Sequence, residues 1–245
     1  GTARHDEANH KTLVGVENLK RILIANRGEI ACRIIKAARA LGIETVAVYS
    51  EADENALFVE RADQAVKIGP APASESYLRV EALLEAASQS GADAVHPGYG
   101  FLAENATFAQ RVRTAGLTWI GPEPKSIDDM GDKERAREIA RAAGVPILPG
   151  SERFSSCDPE AIQAAARMVG FPLLVKACAG GGGIGMQRVD DPAKLLKAVE
   201  STQSAAKRGF GDDHVYFERY VPRARHVEIQ IFGLGDGRAF HLFER

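Results

Sequence analysis

The sequence predicts an α/β protein in which a parallel sheet with intervening helices is followed by a smaller α+β region. Three observations carry this prediction. Short apolar runs recur roughly every 20 to 28 residues, with helical patterns between them. A break at Gly121-Pro122 separates that alternation from the second half of the chain. Beyond the break, two apolar strands enclose a glycine-rich run, which suits a hairpin better than a crossover.

The elements run in this order. Residues 1–20 are polar and mixed in charge, and read as a flexible tail. Ile22-Leu23-Ile24-Ala25 suits a strand buried on both faces. Gly28 opens a helical pattern with Ile30, Ile34, Ala37 and Leu41 on its apolar side, and Gly42 ends it. Thr45-Val46-Ala47-Val48-Tyr49 and Ala65-Val66-Lys67-Ile68 read as the next strands, and residues 77–87 as a helix. Ala94-Val95-His96 is a strand stopped by Pro97, Phe108 and Val112 mark a helix, and Thr118-Trp119-Ile120 closes a sheet of about five strands. In the second region, one helix is expected over residues 126–143, ended by Gly144-Val145-Pro146. A helix over 159–169 and strands at 173–176 and 186–189 come next, then a helix over 192–207 and a strand over 215–221. From His226 to Phe232, Val227, Ile229 and Ile231 alternate with His226, Glu228 and Gln230, the period of a two-faced strand.

Composition narrows the function classes. With 45% hydrophobic and 26% charged residues in 245, the chain is globular rather than disordered. Its 31 basic and 33 acidic residues nearly cancel, so no global field favours nucleic acid or an anionic membrane. No apolar run approaches the roughly 20 residues of a membrane span, and no signal or transit peptide is legible. Cys32, Cys157 and Cys178 lie far apart without a C-x-x-C pair. They read as small buried hydrophobes in a reducing compartment, which implies a cytoplasmic location.

The strongest chemical signal is Gly180-Gly181-Gly182-Gly183-Ile184-Gly185. Such a run lets the backbone approach a ligand and turn its N–H groups toward a polyphosphate. It lacks the Lys-Ser/Thr and helix of a Walker loop, and it does not open a helix as a dinucleotide fingerprint does. A flap over phosphates fits its strand flanks; a flexible hairpin tip is the bland alternative. Lys176, in the apolar strand entering the loop, needs an anion or a route to solvent. Lys133 taken alone is a helical surface charge. The strand 215–221 carries Glu218 and Arg219 and reads either as core or as an edge presented to a base. His226, Glu228 and Gln230 read equally as a site wall or as the wet side of a sheet. Asn26-Arg27-Gly28-Glu29 and the segment from His96 to Asn105 fall at carboxyl ends of strands, the usual ligand edge of open α/β sheets.

Five segments in series carry a resemblance. Ile24-Ala25-Asn26-Arg27-Gly28-Glu29-Ile30, His96-Pro97-Gly98-Tyr99-Gly100-Phe101-Leu102, Met130-Gly131-Asp132-Lys133, Lys176 with its glycine run, and Arg225-His226-Val227-Glu228-Ile229-Gln230 occur in one order. Together they resemble the amino-terminal half of a biotin carboxylase, an ATP-grasp ligase, over residues 21–245. The resemblance implies a Rossmann-like, pre-ATP-grasp α/β domain over 21–120 and a helical connector over 121–147. An α+β ATP-grasp lid over 148–220 and the start of a third α+β domain over 221–245 complete the layout.

The implied reaction uses ATP and bicarbonate to form carboxyphosphate, which delivers carbon dioxide to biotin on a carrier protein, the first half-reaction of an acyl-CoA carboxylase. By resemblance, Lys133 and Lys176 contact ATP phosphates, and Gly181, Gly182, Gly183 and Gly185 close over them with Met186 alongside. Glu218, Arg219 and Val221 form the adenine-binding hinge, and His226 approaches the ribose and phosphates. Mg²⁺ and its carboxylates, and the catalytic residues, are expected beyond Arg245, so the 245-residue chain is expected to be inactive alone. Biotin enters as a carrier-bound substrate. Implied partners are bicarbonate, a biotin carboxyl carrier domain and a carboxyltransferase component; the family is often dimeric. Ile184 stands where many members carry Arg or Lys, a pattern shared with urea-carboxylating members. A urea-carboxylating or other ATP-grasp ligase, and a nucleotide-binding fragment without turnover, are the alternatives.

Overall fold

A computed structural model describes residues 19–155, 158–178 and 185–244. The chain divides after Asp128 into two compact units. The first holds β1 (Arg21–Ile24), α1 (Gly28–Ala40), β2 (Glu44–Ser50), α2 (Leu57–Arg61), β3 (Gln64–Gly69), α3 (Val80–Ser90), β4 (Ala94–His96), α4 (Ala106–Thr114) and β5 (Thr118–Trp119). Its five strands are parallel in the order β3-β2-β1-β4-β5. Both faces are covered, one around Leu23, Val46, Val48, Val95 and Phe108 and the other around Ile24, Ile35, Ala47 and Phe58. Strands buried on both sides have no polar face to alternate, which is why they read as unbroken apolar runs.

Two helices differ from the periodic reading. In α1 the buried residues are Ala31, Ile34, Ile35 and Ala38, whereas Ala37 is exposed and Leu41 is the exposed C-cap. Only Ile34 of the expected stripe is fully buried, because the sheet selects a face about one position away. The helix expected over 77–87 begins instead at Val80, after a 3₁₀ turn at Ala73–Glu75, and Tyr77 is fully buried ahead of it.

Next come α5 (Pro124–Gly131), α6 (Lys133–Ala142), α7 (Pro159–Val169), β6 (Leu173–Ala177), β7 (Met186–Val189), α8 (Leu195–Phe210), β8 (Val215–Arg219), β9 (Ile229–Gly233) and β10 (Ala239–Glu244). The single helix expected over 126–143 is two. Asp132 separates them by capping α6, its Oδ1 accepting from the N–H groups of Glu134 and Arg135 at 2.9 and 3.0 Å. β6 pairs antiparallel with β7 and β8, giving the order β7-β6-β8. Leu173, Val175, Val189, Val215 and Phe217 pack on one side of that sheet with Ile162 and Ala166 of α7 and Leu195 and Val199 of α8. β9 and β10 form an antiparallel hairpin whose residues are all exposed.

Candidate nucleotide site

In the second unit the register decides which side chains share a face. Lys176 lies opposite Met186 and Tyr216, and Leu174 opposite Arg188 and Glu218. Leu174, Lys176, Met186, Arg188, Tyr216 and Glu218 therefore project from the side away from the helical core. Lys176, Met186 and Glu218 were expected at a nucleotide from the sequence, and the fold brings these three together. Lys176 forms an ion pair with Glu218, both side chains mostly covered at 20% and 16% exposure. Met186 is 44% exposed at the mouth of the hairpin.

Gly185 is the described end of the glycine run; Gly181, Gly182 and Gly183 lie outside the described residues. Gly185 has φ +77°, a Cβ there would stand 3.0 Å from the Ala177 Cβ, and its carbonyl accepts from the Ala177 N–H at 2.8 Å. The left-handed backbone and the close approach both call for glycine.

The remaining expected residues fall elsewhere. Arg219 projects from the opposite face, its Nη1 donating to the Phe171 carbonyl at 3.4 Å and its backbone N–H to the Pro149 carbonyl at 2.9 Å. Its backbone N–H is thus already committed. Val221 is exposed just past β8. The His226 side chain is 86% exposed, with its Nε2 3.7 Å from Glu228. Lys133, also exposed, opens α6, and its ammonium lies within electrostatic range of the Cys178 thiol at the end of β6.

Sequence reasoning missed several groups on or near this face. The Arg188 guanidinium lies 4.1 Å from the centre of the Tyr220 ring and pairs with Asp190. Arg137 of α6 lies 5.9 Å from the Tyr216 ring centre and donates to the Leu148 carbonyl at 3.1 Å. Burial, then the neighbouring Glu218 charge, raises the Tyr216 hydroxyl to about 12. Cys178 is raised to about 11, first by burial and then by Asp212, so its thiol stays protonated and unreactive at neutral pH. Cys32 and Cys178 are free and partly buried rather than fully buried as expected; Cys157 lies outside the described residues.

These donors suit phosphate rather than a divalent cation. Glu218 is the carboxylate among the described residues of the open face, and it is already engaged by Lys176. Asp212, Asp213 and His214 cluster on the α8–β8 connection, but His214 Nδ1 pairs with Asp212 at 2.6 Å and Lys207 with Asp213 at 3.4 Å. These internal pairs account for the cluster.

The first unit has its own polar edge. The strand order reverses at β1, and the turns leaving β1 and β4 meet there. Buried Asn26 donates from Nδ2 to the carbonyls of Pro97 and Tyr99 at 2.8 and 2.7 Å, while its Oδ1 accepts from the Arg27 N–H at 2.9 Å. Gly98, at φ +66°, leaves room: a Cβ there would stand 2.8 Å from Asn26 Nδ2. Asp53 accepts from Tyr77 Oη at 2.7 Å, Ser50 Oγ at 2.8 Å and Arg27 at 3.3 Å. Burial raises the Asp53 pKa, but these donors outweigh it and hold the carboxyl below its ordinary value. The Tyr77 ring stacks on Phe101 with centroids 5.2 Å apart, and Arg27 lies over both rings. Tyr99 donates to Glu29 at 2.6 Å, and burial lowers the pKa of His96, whose Nδ1 accepts from the Gly98 N–H at 3.0 Å.

A Rossmann-like parallel sheet followed by an antiparallel sheet with a lysine-bearing open face defines an ATP-grasp type of nucleotide-binding protein. Residues 18–127 match the family described as "Biotin carboxylase, N-terminal domain", and residues 132–245 match "Carbamoyl-phosphate synthase L chain, ATP binding domain". The chain thus carries a biotin carboxylase N-terminal domain followed by an ATP-binding domain of the carbamoyl-phosphate synthase L chain type. It is 48% identical to the biotin carboxylase of Pseudomonas aeruginosa over 227 residues, covering 93% of this chain and 51% of that protein. The crystal structure of a Campylobacter jejuni biotin carboxylase–β,γ-ATP complex superposes with a TM-score of 0.88 at 42% identity, covering 93% of this chain and 51% of that one. The biotin carboxylase domain of Hydrogenobacter thermophilus 2-oxoglutarate carboxylase, a dimer in complex with MgADP, ADP and bicarbonate, gives 0.85 at 43% identity, covering 92% and 49%. The chain thus spans about half the length of these proteins. Among its described residues, no helix is long and apolar enough to cross a membrane.

Proposed function

We propose that this chain is the ATP-holding part of a biotin carboxylase, in which ATP and bicarbonate carboxylate biotin on a carrier protein. The observation that carries the reading is the gathering of Lys176, Met186 and Glu218 on one open sheet face where the glycine run leaves β6. Phosphoryl transfer depends mainly on positioning and charge neutralisation, and ammonium groups beside backbone N–H donors supply both. In this reading Lys133 and Lys176 hold phosphates under Gly181, Gly182, Gly183 and Gly185. Glu218, Arg219 and Val221 border the adenine, the Arg219 contribution coming from its carbonyl because its N–H is engaged. His226 lies toward the ribose. Residues 148–220 serve as the lid, with Gly144-Val145-Pro146 as its hinge, excluding water when closed.

Mg²⁺, when bound, would supply charge neutralisation for the phosphates; no carboxylate described on the open face is assigned to it. Bicarbonate, a biotin carboxyl carrier domain, a carboxyltransferase component and a second copy of the protein are the proposed partners. The free thiols of Cys32 and Cys178 suit a reducing compartment, and a cytoplasmic location is part of the proposal. The match of residues 18–127 to a biotin carboxylase domain favours this reading over another ATP-grasp ligase.

Calorimetric titration of the chain with ATP tests the reading. Lys176→Ala removes a charge-assisted contact of about 1.5–3 kcal/mol, so affinity is expected to fall by about tenfold or more. Unchanged affinity overturns the assignment of Lys176 to phosphate.

A further inference from the structure

Lys176 and Glu218 are not directly opposite each other in the sheet. Lys176 faces Tyr216 across β8, and Glu218 faces Leu174 across β6, so the ion pair runs along a diagonal that two long side chains can span. Its surroundings leave Lys176 little choice of partner. Leu174, Met186 and Tyr216 are uncharged at neutral pH, and Asp190 pairs with Arg188. Lys176 is four-fifths covered, so losing Glu218 without a replacement would leave an under-solvated ammonium.

We propose that Glu218 is the resident counterion of Lys176 and a positioning residue of the nucleotide site. Its carboxylate holds the ammonium in the free chain, and Lys176 exchanges it for a phosphate when nucleotide binds. The proposal rests on the reading of Lys176 as a phosphate ligand and adds a competitor to it. Glu218 satisfies Lys176 while the site is empty and weakens Lys176's net attraction for phosphate. The exchange is a movement of one flexible side chain between two anions, with no bond made or broken.

The readout is the ratio of ATP affinity to adenosine affinity, measured by calorimetry on the full chain, because adenosine lacks the phosphates that Lys176 is proposed to take in exchange. Glu218→Gln keeps the side-chain shape and removes the competing charge, so the ratio is expected to rise about five- to tenfold. A loosened fold would weaken both ligands together and leave the ratio alone. In the Lys176→Ala background the Glu218→Gln effect is expected to vanish, since the two residues act through one interaction. If Glu218→Gln does not fold, Glu218→Asp carries the test: it retains the charge at shorter reach, and a smaller rise in the same ratio is expected.

A ratio unchanged or lowered by the Glu218 variant, or a rise that persists without Lys176, overturns the counterion role. If Lys176→Ala itself leaves the ratio unchanged, the phosphate reading fails first, which separates the two outcomes.

Discussion

The two polar regions of this chain use similar residue types in opposite ways. At the carboxyl edge of the parallel sheet, the polar groups are committed to one another. Asp53 takes three donors, Asn26 makes three hydrogen bonds, and Arg27 is held over two stacked rings. On the open face of the antiparallel sheet, Lys176 has one ion pair among the described residues, the pair proposed above to give way to a phosphate. A network with several mutual partners resists rearrangement, because removing any member leaves others unsatisfied. A single pair at a partly covered surface is exchangeable. The first edge is therefore built to hold a shape, whereas the second has the simpler pairing that the proposed exchange requires.

The largest expected effect tests whether the two units are energetically separate. Phe217 is fully buried in the second unit, with its ring 5.0 Å from that of Phe154. Phe217→Ala is expected to cost about 3–5 kcal/mol. Hydrogen exchange should lose protection over β6 to β8 while β1 to β5 keep theirs; equal loss in both units breaks the comparison.

Asn26→Ala is the corresponding change at the rigid edge. It removes three hydrogen bonds and leaves the buried Pro97 carbonyl and the partly buried Tyr99 carbonyl without their donor, at an expected cost of about 2–4 kcal/mol. The loss should appear as faster exchange around residues 96–101, with ATP affinity unchanged. A large fall in ATP affinity would show that the edge does more than hold its shape.

A smaller effect concerns pH. The Asp53 carboxyl is held below its ordinary value of 3.8 in the folded chain. A depressed folded pKa contributes stability that is fully present above the unfolded value and is lost as pH falls from about 3.8 through the folded value. Denaturant titrations between pH 7 and pH 2 should therefore show a steeper acid loss for the native chain than for Asp53→Asn. Parallel curves would remove Asp53 from the account of this edge.

The smallest expected effect sits at Gly185, the described end of the glycine run. Gly185→Ala forces a left-handed backbone on alanine beside Ala177, at about 1–2 kcal/mol. Stability measured by urea titration should fall by that amount; no change would mean that the β6–β7 turn accommodates a side chain.

Much of the first unit is legible because its signals are local. Ile22-Leu23-Ile24-Ala25 and Thr45-Val46-Ala47-Val48 are apolar because parallel strands are covered on both faces. The break between α5 and α6 was also present in the sequence as Asp132, a side chain able to cap two N–H groups, but the apolar stripe of 126–143 hid it. The buried face of α1 was not legible, because either of two neighbouring stripes meets a helical period and only the sheet chooses. Tyr77 read as a helix residue, since nothing near it in sequence announces Asp53 or Ser50 as its partners.

The sequence alone determined most of the order of strands and helices and the glycine run between two apolar strands. Those features depend on hydrophobic periodicity and backbone freedom, which act over a few residues. The tertiary structure decided which charges meet. Lys176 and Glu218 are 42 residues apart, and Tyr99 and Glu29 are 70 apart. Strand register and the crossing of two turns create those encounters. The physical reason is range: local propensity selects the elements, but a side chain's partner is fixed only when packing brings distant segments within a few ångströms.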